Sequence, residues 1–249
     1  MNRFTGKVCL VTGATAGMGL AISMRLAQEG GQVVICSSQK ENVDETLALF
    51  KQKGLDVSGQ VCDIGNQASR TKLVQFIDQK FGRLDVLVLN AGISIHLGEQ
   101  LVITEEDYDQ TFNINTKAQF FLIKEFKQLL KRSQSDPNIL VNASVLGYSP
   151  DKFAGVYSMT KAAVINMVQW LAQELIEDDI RINAIAPGLV QTRMSNPEVT
   201  KTLTSKFSRP QKVMGKPEQI ASAVAMICSE EGTFITGEIH AMQGILGKL

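Results

Sequence analysis

Apolar positions along the chain follow two alternating patterns. Short runs rich in β-branched residues occur at 8–11, 32–36, 57–62, 86–89, 139–143 and 180–185, with a last brief one at 238–242. Between them lie longer segments with helical spacing, near 18–29, 40–53, 66–81, 104–131, 157–177 and 217–229. A strand that is apolar nearly throughout has both faces buried, and helices between such strands supply the cover. Right-handed crossovers then build a doubly wound parallel sheet, an α/β fold, and the unbroken alternation makes residues 1–249 one domain. The least regular stretch is 188–216, which follows Pro187 and contains Pro197, Pro210 and Gly215. It leaves the carboxyl end of a strand, where ligands bind in such sheets, so a substrate lid is expected there.

Composition narrows the classes. The chain is 44% hydrophobic and 20% charged, with 25 Lys+Arg against 25 Asp+Glu. That balance gives no footprint for nucleic acid or an anionic membrane. No apolar run approaches the roughly 18 residues of a membrane span. Residues 1–7 lack the apolar core of a signal peptide, so a cytoplasmic location is expected. Cys9, Cys36, Cys62 and Cys228 form no Cys-x-x-Cys pair and no set at metal-ligand spacing. The first three fall in predicted strands, which reads as small buried hydrophobes in a reducing compartment, with no metal. The sequon Asn142-Ala143-Ser144 falls in a predicted buried strand and is set aside.

The candidate chemistry sits at two places. After the first apolar run come Thr12-Gly13-Ala14-Thr15-Ala16-Gly17-Met18-Gly19. Gly13 allows a tight turn, Gly17 lets backbone approach a pyrophosphate, and Gly19 lets the helix pack closely. The free N–H groups at the helix start then face phosphate. The spacing is Gly-x-x-x-Gly-x-Gly, and its place directly after a strand separates it from an ordinary glycine-rich turn. Further on, Tyr157 and Lys161 are one helical turn apart and share a face. Ser144 ends the strand thirteen residues upstream of Tyr157. A phenol, a hydroxyl and an ammonium beside a nucleotide site are the parts needed for hydride exchange with a carbonyl. Each residue alone reads equally well as a strand end or a solvated helix face; the weight lies in the set.

With these residues in view, the whole chain resembles the short-chain dehydrogenase/reductase family, which has a Rossmann fold. The family's Asn-Ala-Gly is Asn90-Ala91-Gly92, its adenine-contacting Asp is Asp63, and its catalytic Asn is Asn115. Its Pro-Gly after strand six is Pro187-Gly188, followed by Val190 and Thr192, which meet the nicotinamide carboxamide in the family. Within the family the chain is most similar to NADPH-dependent carbonyl/retinal reductases of the dehydrogenase/reductase member-4 type. The resemblance implies a tetrad of Asn115, Ser144, Tyr157 and Lys161. Tyr157 is then the acid or base, Ser144 holds the carbonyl oxygen, Lys161 lowers the phenol pKa and grips the ribose, and Asn115 places a water. It implies a cofactor site of Gly13, Thr15, Gly17, Met18, Gly19, Ser37, Ser38, Lys40, Asp63, Asn90, Ala91, Gly92, Tyr157, Lys161, Pro187, Gly188, Val190 and Thr192.

NAD-specific members grip the ribose hydroxyls with an acidic residue after strand two; Ser37 stands there instead, which admits a 2′-phosphate. NADP(H) is therefore favoured, with NAD(H) the alternative, although relatives carry Arg at Ser38 and here only Lys40 is basic nearby. Ile93, Ile95, His96, Val145, Tyr148, Phe153 and Met194 are the expected pocket walls and favour an apolar carbonyl or alcohol substrate. A homotetramer or homodimer is expected from the family, though Met242-Gln243-Gly244-Ile245 replaces its usual Asp-Gly-Gly segment. The second reading is an idle nucleotide-binding subunit serving as scaffold or regulator. The ending Gly247-Lys248-Leu249 approximates a peroxisomal address, the alternative to the cytoplasm.

Overall fold

A computed structural model describes residues 2–192 and 214–244. Most of the expected lid, Met194 and the C-terminal tripeptide lie outside the described residues. Seven strands form one parallel sheet in the order β3-β2-β1-β4-β5-β6-β7. They are β1 (Val8–Thr12), β2 (Gln32–Ser37), β3 (Val57–Val61), β4 (Val86–Leu89), β5 (Asn138–Asn142), β6 (Arg181–Pro187) and β7 (Ile239–Met242). Helices α1 (Gly17–Gln28), α2 (Lys40–Gln52), α3 (Gln67–Phe81), α4 (Glu105–Phe112), α5 (Ala118–Lys131), α6 (Gly155–Leu175) and α7 (Pro217–Ile227) connect them.

Every residue of β1, β4, β5 and β6 is buried. This explains their near-continuous apolar sequence: each large side chain there contributes about 1.5–3 kcal/mol by leaving water, on whichever face it points. Two cores result. One packs Leu10, Leu87, Val141 and Ile182 against Leu122, Phe126, Val164 and Val168. The other packs Val11, Val88 and Ile185 against Ile22, Leu26, Ile220 and Val224.

Two expectations need correction. Cys62 follows β3 rather than ending it. The long helix expected over 104–131 is interrupted: Asn113–Lys117 forms a π-helical turn between α4 and α5. Apolar periodicity cannot register one extra residue per turn, and such turns concentrate at functional sites. Asn115 lies in the middle of this one and is fully buried.

The chain runs β1 to β3 toward one edge and then crosses back to place β4 beside β1. The sheet therefore has its topological switch between β1 and β4, with a crevice at their carboxyl ends.

Candidate active site

The loops at the carboxyl ends of the strands bring the candidate residues to one side of the sheet. Gly13 follows β1, Ser37 ends β2, Asp63 lies just beyond β3, Asn90-Ala91-Gly92 follows β4, Ser144 follows β5, and Pro187-Gly188 closes β6.

The glycine turn is shaped by contacts that a side chain would prevent. Gly13 has φ +61°, and a Cβ there would come 2.8 Å from Ala91 Cα. Gly17, the first residue of α1, has φ +53°, and its Cβ would lie 3.1 Å from Thr192 Cγ2. Both values are in the left-handed region that favours glycine. A Cβ on Gly19 would sit 2.2 Å from the Gly13 carbonyl oxygen and 2.5 Å from Asn90 Nδ2. Gly19 thus packs its helix onto the preceding turn and the Asn90 side chain, rather than directly onto the strand. Thr12 Oγ1 accepts from the N–H groups of Asn90 and Ala91, at 3.0 and 3.1 Å. Asn90 Nδ2 donates to the carbonyls of Thr12 and Gly13, both at 3.1 Å. Gln119 Nε2 holds the Ala91 carbonyl at 2.7 Å.

These residues fit a dinucleotide. No side chain caps the start of α1 and its first turn has no acidic residue, so its N–H groups and positive dipole end suit a phosphate. At the adenosine end, Asp63 Oδ1 accepts from Gly65 N at 2.9 Å, which fixes the loop after β3. Ser38 is exposed, and Lys40 forms an ion pair with Asp44, one turn along α2.

The second cluster stands on β5 and α6. Ser144 Oγ accepts from Leu146 N at 3.2 Å and stands beside the Tyr157 phenol, where it favours the ionised form. Tyr157 is only half-buried by surface area, yet protein crowds its hydroxyl: burial pushes the phenol up to about 12, partly offset by Ser144. Lys161 is buried, and burial brings its ammonium down to about 8. Its Nζ donates to the Asn142 carbonyl at 2.6 Å and lies 5.5 Å from the Tyr157 ring centre. Desolvation outweighs Ser144, and Lys161, whose Nζ is turned to the Asn142 carbonyl, adds nothing to the shift. A Cβ on Gly92 would stand 3.5 Å from Lys161 Nζ and 3.3 Å from Asn115 Oδ1, so this glycine leaves room between the two.

Asn115 ties the cluster together. Its Nδ2 donates to Ile93 O at 2.8 Å and Thr160 Oγ1 at 3.1 Å, and its Oδ1 accepts from Ile93 N at 2.8 Å. Both side-chain donors are thereby used in joining the loop after β4 to α6. Thr160 Oγ1 in turn donates to the Tyr157 carbonyl at 2.6 Å.

The two clusters are linked. Asn142 Nδ2 donates to Asn90 Oδ1 at 3.0 Å, so a run of hydrogen bonds joins the glycine turn to Lys161 through Asn90 and Asn142. Asn142 Oδ1 is buried without a hydrogen-bond partner. Sequence reading missed Thr12, Gln119, Asn142 and Thr160. The signal was a polar residue at the end of an apolar strand or on a buried helix face, a position that costs free energy unless it is bonded.

Among the expected walls, His96 Nε2 donates to the Glu99 carbonyl at 2.7 Å. Ile95, Tyr148 and Phe153 are exposed. A cavity of about 700 Å³ lies away from Tyr157. It lies between α1 and α7, reaching Gly17 and Thr192 and lined by Leu20, Met24, Gln191 and Glu218.

This arrangement matches known proteins along the chain. The sequence pattern of the short chain dehydrogenases matches residues 7–203. The chain belongs to the short-chain dehydrogenase family. Dehydrogenase/reductase SDR family member 4 of Bos taurus is 36% identical over 249 residues, covering 98% of this chain and 88% of the relative. The Homo sapiens protein of that name is 35% identical over 241 residues, with 96% and 86% covered. Tropinone reductase-like 3 of Erythroxylum coca is 34% identical over 248 residues, with 98% and 94% covered. Among solved structures, a short-chain dehydrogenase from Burkholderia cenocepacia in complex with NADP superposes with a TM-score of 0.88 at 30% identity, covering 98% of each chain. As a member of this oxidoreductase family, the chain has the expected single seven-stranded Rossmann-type domain. Among the described residues, no helix is long and apolar enough to cross a membrane.

Proposed function

We propose that this short-chain dehydrogenase transfers hydride between NADP(H) and the carbonyl or secondary alcohol of an apolar substrate, with Tyr157 as acid and base. The observation that carries this reading is the placement of Ser144 beside the Tyr157 phenol and buried Lys161, joined through Asn142 and Asn90 to the glycine turn. When bound, the nicotinamide supplies or accepts the hydride. The chain's own residues handle the oxygen and its proton. A phenol held near 12 is protonated at neutral pH, the form needed to donate to a reduced carbonyl oxygen. Ser144 donates to the same oxygen and steadies its developing charge. Lys161, near 8, remains mostly cationic at neutral pH and is placed to hold ribose hydroxyls and to favour phenolate in the oxidative direction. Asn115 keeps Ile93 and α6 in register, so a water-positioning role falls to its main chain rather than its occupied side-chain donors.

Ser37 favours NADP(H), as no carboxylate at that position opposes a 2′-phosphate, and the Burkholderia relative binds NADP. An apolar substrate is the choice that suits Ile93, Ile95, Val145, Tyr148 and Phe153, the positions that the family resemblance assigns to the pocket walls. Assembly as a homodimer or homotetramer belongs to the same reading, and light scattering of the purified protein tests it. The functional test is oxidation of NADPH, and separately NADH, with a panel of apolar ketones, aldehydes and α-dicarbonyls. Faster NADPH oxidation with a panel member is expected. NADH preference would overturn the cofactor assignment, and cofactor binding without turnover on the panel would favour the scaffold role.

A further inference from the structure

The helix that carries Tyr157 begins without a cap of its own. The residue before α6 is Ala154, which has no side-chain acceptor, and the first residue of the helix is Gly155. Both choices are poor locally. Alanine leaves the first free N–H groups unsatisfied, and glycine at a helical position is the costliest ordinary residue. Such a start frays unless something outside the helix holds it, and Tyr157 lies within its first turn.

Gln100, from the loop after β4, fills this place. Its Oε1 accepts from Val156 N at 3.0 Å. Its Nε2 donates to Phe153 O at 2.9 Å and to Gly98 O at 3.1 Å. Gly98 N donates to the same Phe153 carbonyl at 2.9 Å, so the two loops are fastened by main chain as well. A Cβ on Gly155 would come within 3.1 Å of Gln100 Cγ, which accounts for the glycine: it makes room for the incoming amide. The amide thus accepts from the helix N-terminus and donates to the segment entering it, fifty-six residues away from its Val156 partner in sequence.

We infer that Gln100 is a positioning residue for Tyr157, acting as a cap supplied across space to α6. The inference rests on Tyr157 being the acid–base group. Other bonds to this helix act deeper: Asn115 reaches Thr160, and Lys161 reaches Asn142. Gln100 fixes the end ahead of Tyr157, so that the phenol is held between two anchors and kept against Ser144. Its loss loosens one turn while leaving the glycine cradle untouched.

The test separates the acceptor from the donor. Gln100→Leu keeps the length and removes both functions, and Gln100→Glu keeps the acceptor for Val156 while removing both donations. In Gln100→Leu, hydrogen exchange at the Val156 amide is expected to rise about fivefold, the size a typical cap confers. The kcat is expected to fall by a similar factor, with KM for the nicotinamide cofactor unchanged. In Gln100→Glu the Val156 acceptor is kept while a carboxylate oxygen faces the Phe153 and Gly98 carbonyls, so exchange and kcat are expected to fall between those of the unaltered protein and Gln100→Leu. Unchanged exchange in Gln100→Leu, a loss appearing in cofactor KM instead of kcat, or a Gln100→Glu variant as impaired as Gln100→Leu would overturn the inference. Equal turnover in the unaltered protein and Tyr157→Phe would sink the acid–base reading and the catalytic half of this inference with it; exchange at Val156 judges the cap independently.

Discussion

The catalytic end and the ribose end of the crevice are built by opposite means. Around Tyr157, the supporting side chains are bonded and mostly buried: buried Asn115 makes three hydrogen bonds, buried Lys161 bonds the Asn142 carbonyl, and partly buried Asn90 clasps the glycine turn. At the end of β2, Ser38 is exposed, and the Lys40 and Asp44 side chains are 69% and 56% exposed in their ion pair. A group that must meet a reacting atom has to be held to fractions of an ångström, which buried networks provide. A group that recognises a phosphate charge needs only to be near it. Reaction chemistry is thus locked into the core, while cofactor preference rests on side chains that can change without disturbing the fold.

That contrast can be broken or sharpened by substitution, beginning with the group for which burial costs most. Lys161 is held near 8 against an ordinary 10.5. Below pH 8 the folded protein keeps a buried ammonium at a cost on the order of 3 kcal/mol, and the folded form sheds this proton before the unfolded chain does. The stability of the protein relative to Lys161→Met should therefore rise between pH 8 and 10.5. Denaturant titrations of both proteins across that window check this, and parallel curves would contradict the burial assigned to Lys161.

Ser144→Ala removes one donor to the carbonyl oxygen and should lower kcat about 100-fold, with little change in cofactor affinity. Steady-state kinetics in both cofactor and substrate separate the two. Gly19→Ala forces the Gly13 carbonyl to move and should weaken cofactor binding by about 30-fold, the scale of overpacking a tight contact. A fluorescence titration with NADPH measures that. At the ribose end, Ser38→Arg should raise the NADPH-to-NADH preference by about tenfold, as one charge-assisted bond to an exposed phosphate would. An unchanged ratio of kcat/KM for the two cofactors would remove Ser38 from the ribose site.

The difference between the two ends also explains what the sequence made legible. β1, β4, β5 and β6 were readable from apolar runs because their residues are buried on both faces, whereas the edge strands β3 and β7 are only partly buried and left more polar runs. The glycine turn was readable because its backbone requires glycine at Gly13 and Gly17. Family resemblance placed Asn115, but local periodicity gave no sign of the π-helical turn that contains it, since a single extra residue leaves the apolar stripe nearly continuous. Thr12, Asn142 and Thr160 escaped for a related reason. Their value lies in partners from other strands and helices, and a polar residue closing an apolar run looks the same whether it is bonded or simply ends the strand. The desolvation of the Tyr157 phenol was out of reach for the same reason: sequence spacing brings Lys161 near but carries no measure of how thoroughly the hydroxyl is enclosed.

The most direct test of the account is Tyr157→Phe, measured for turnover and for NADPH affinity in the same preparation. The account predicts a loss of about 100-fold or more in kcat, the scale of a missing general acid, with the NADPH dissociation constant within about threefold of the unaltered protein. Near-normal turnover would contradict the assignment of the proton to Tyr157.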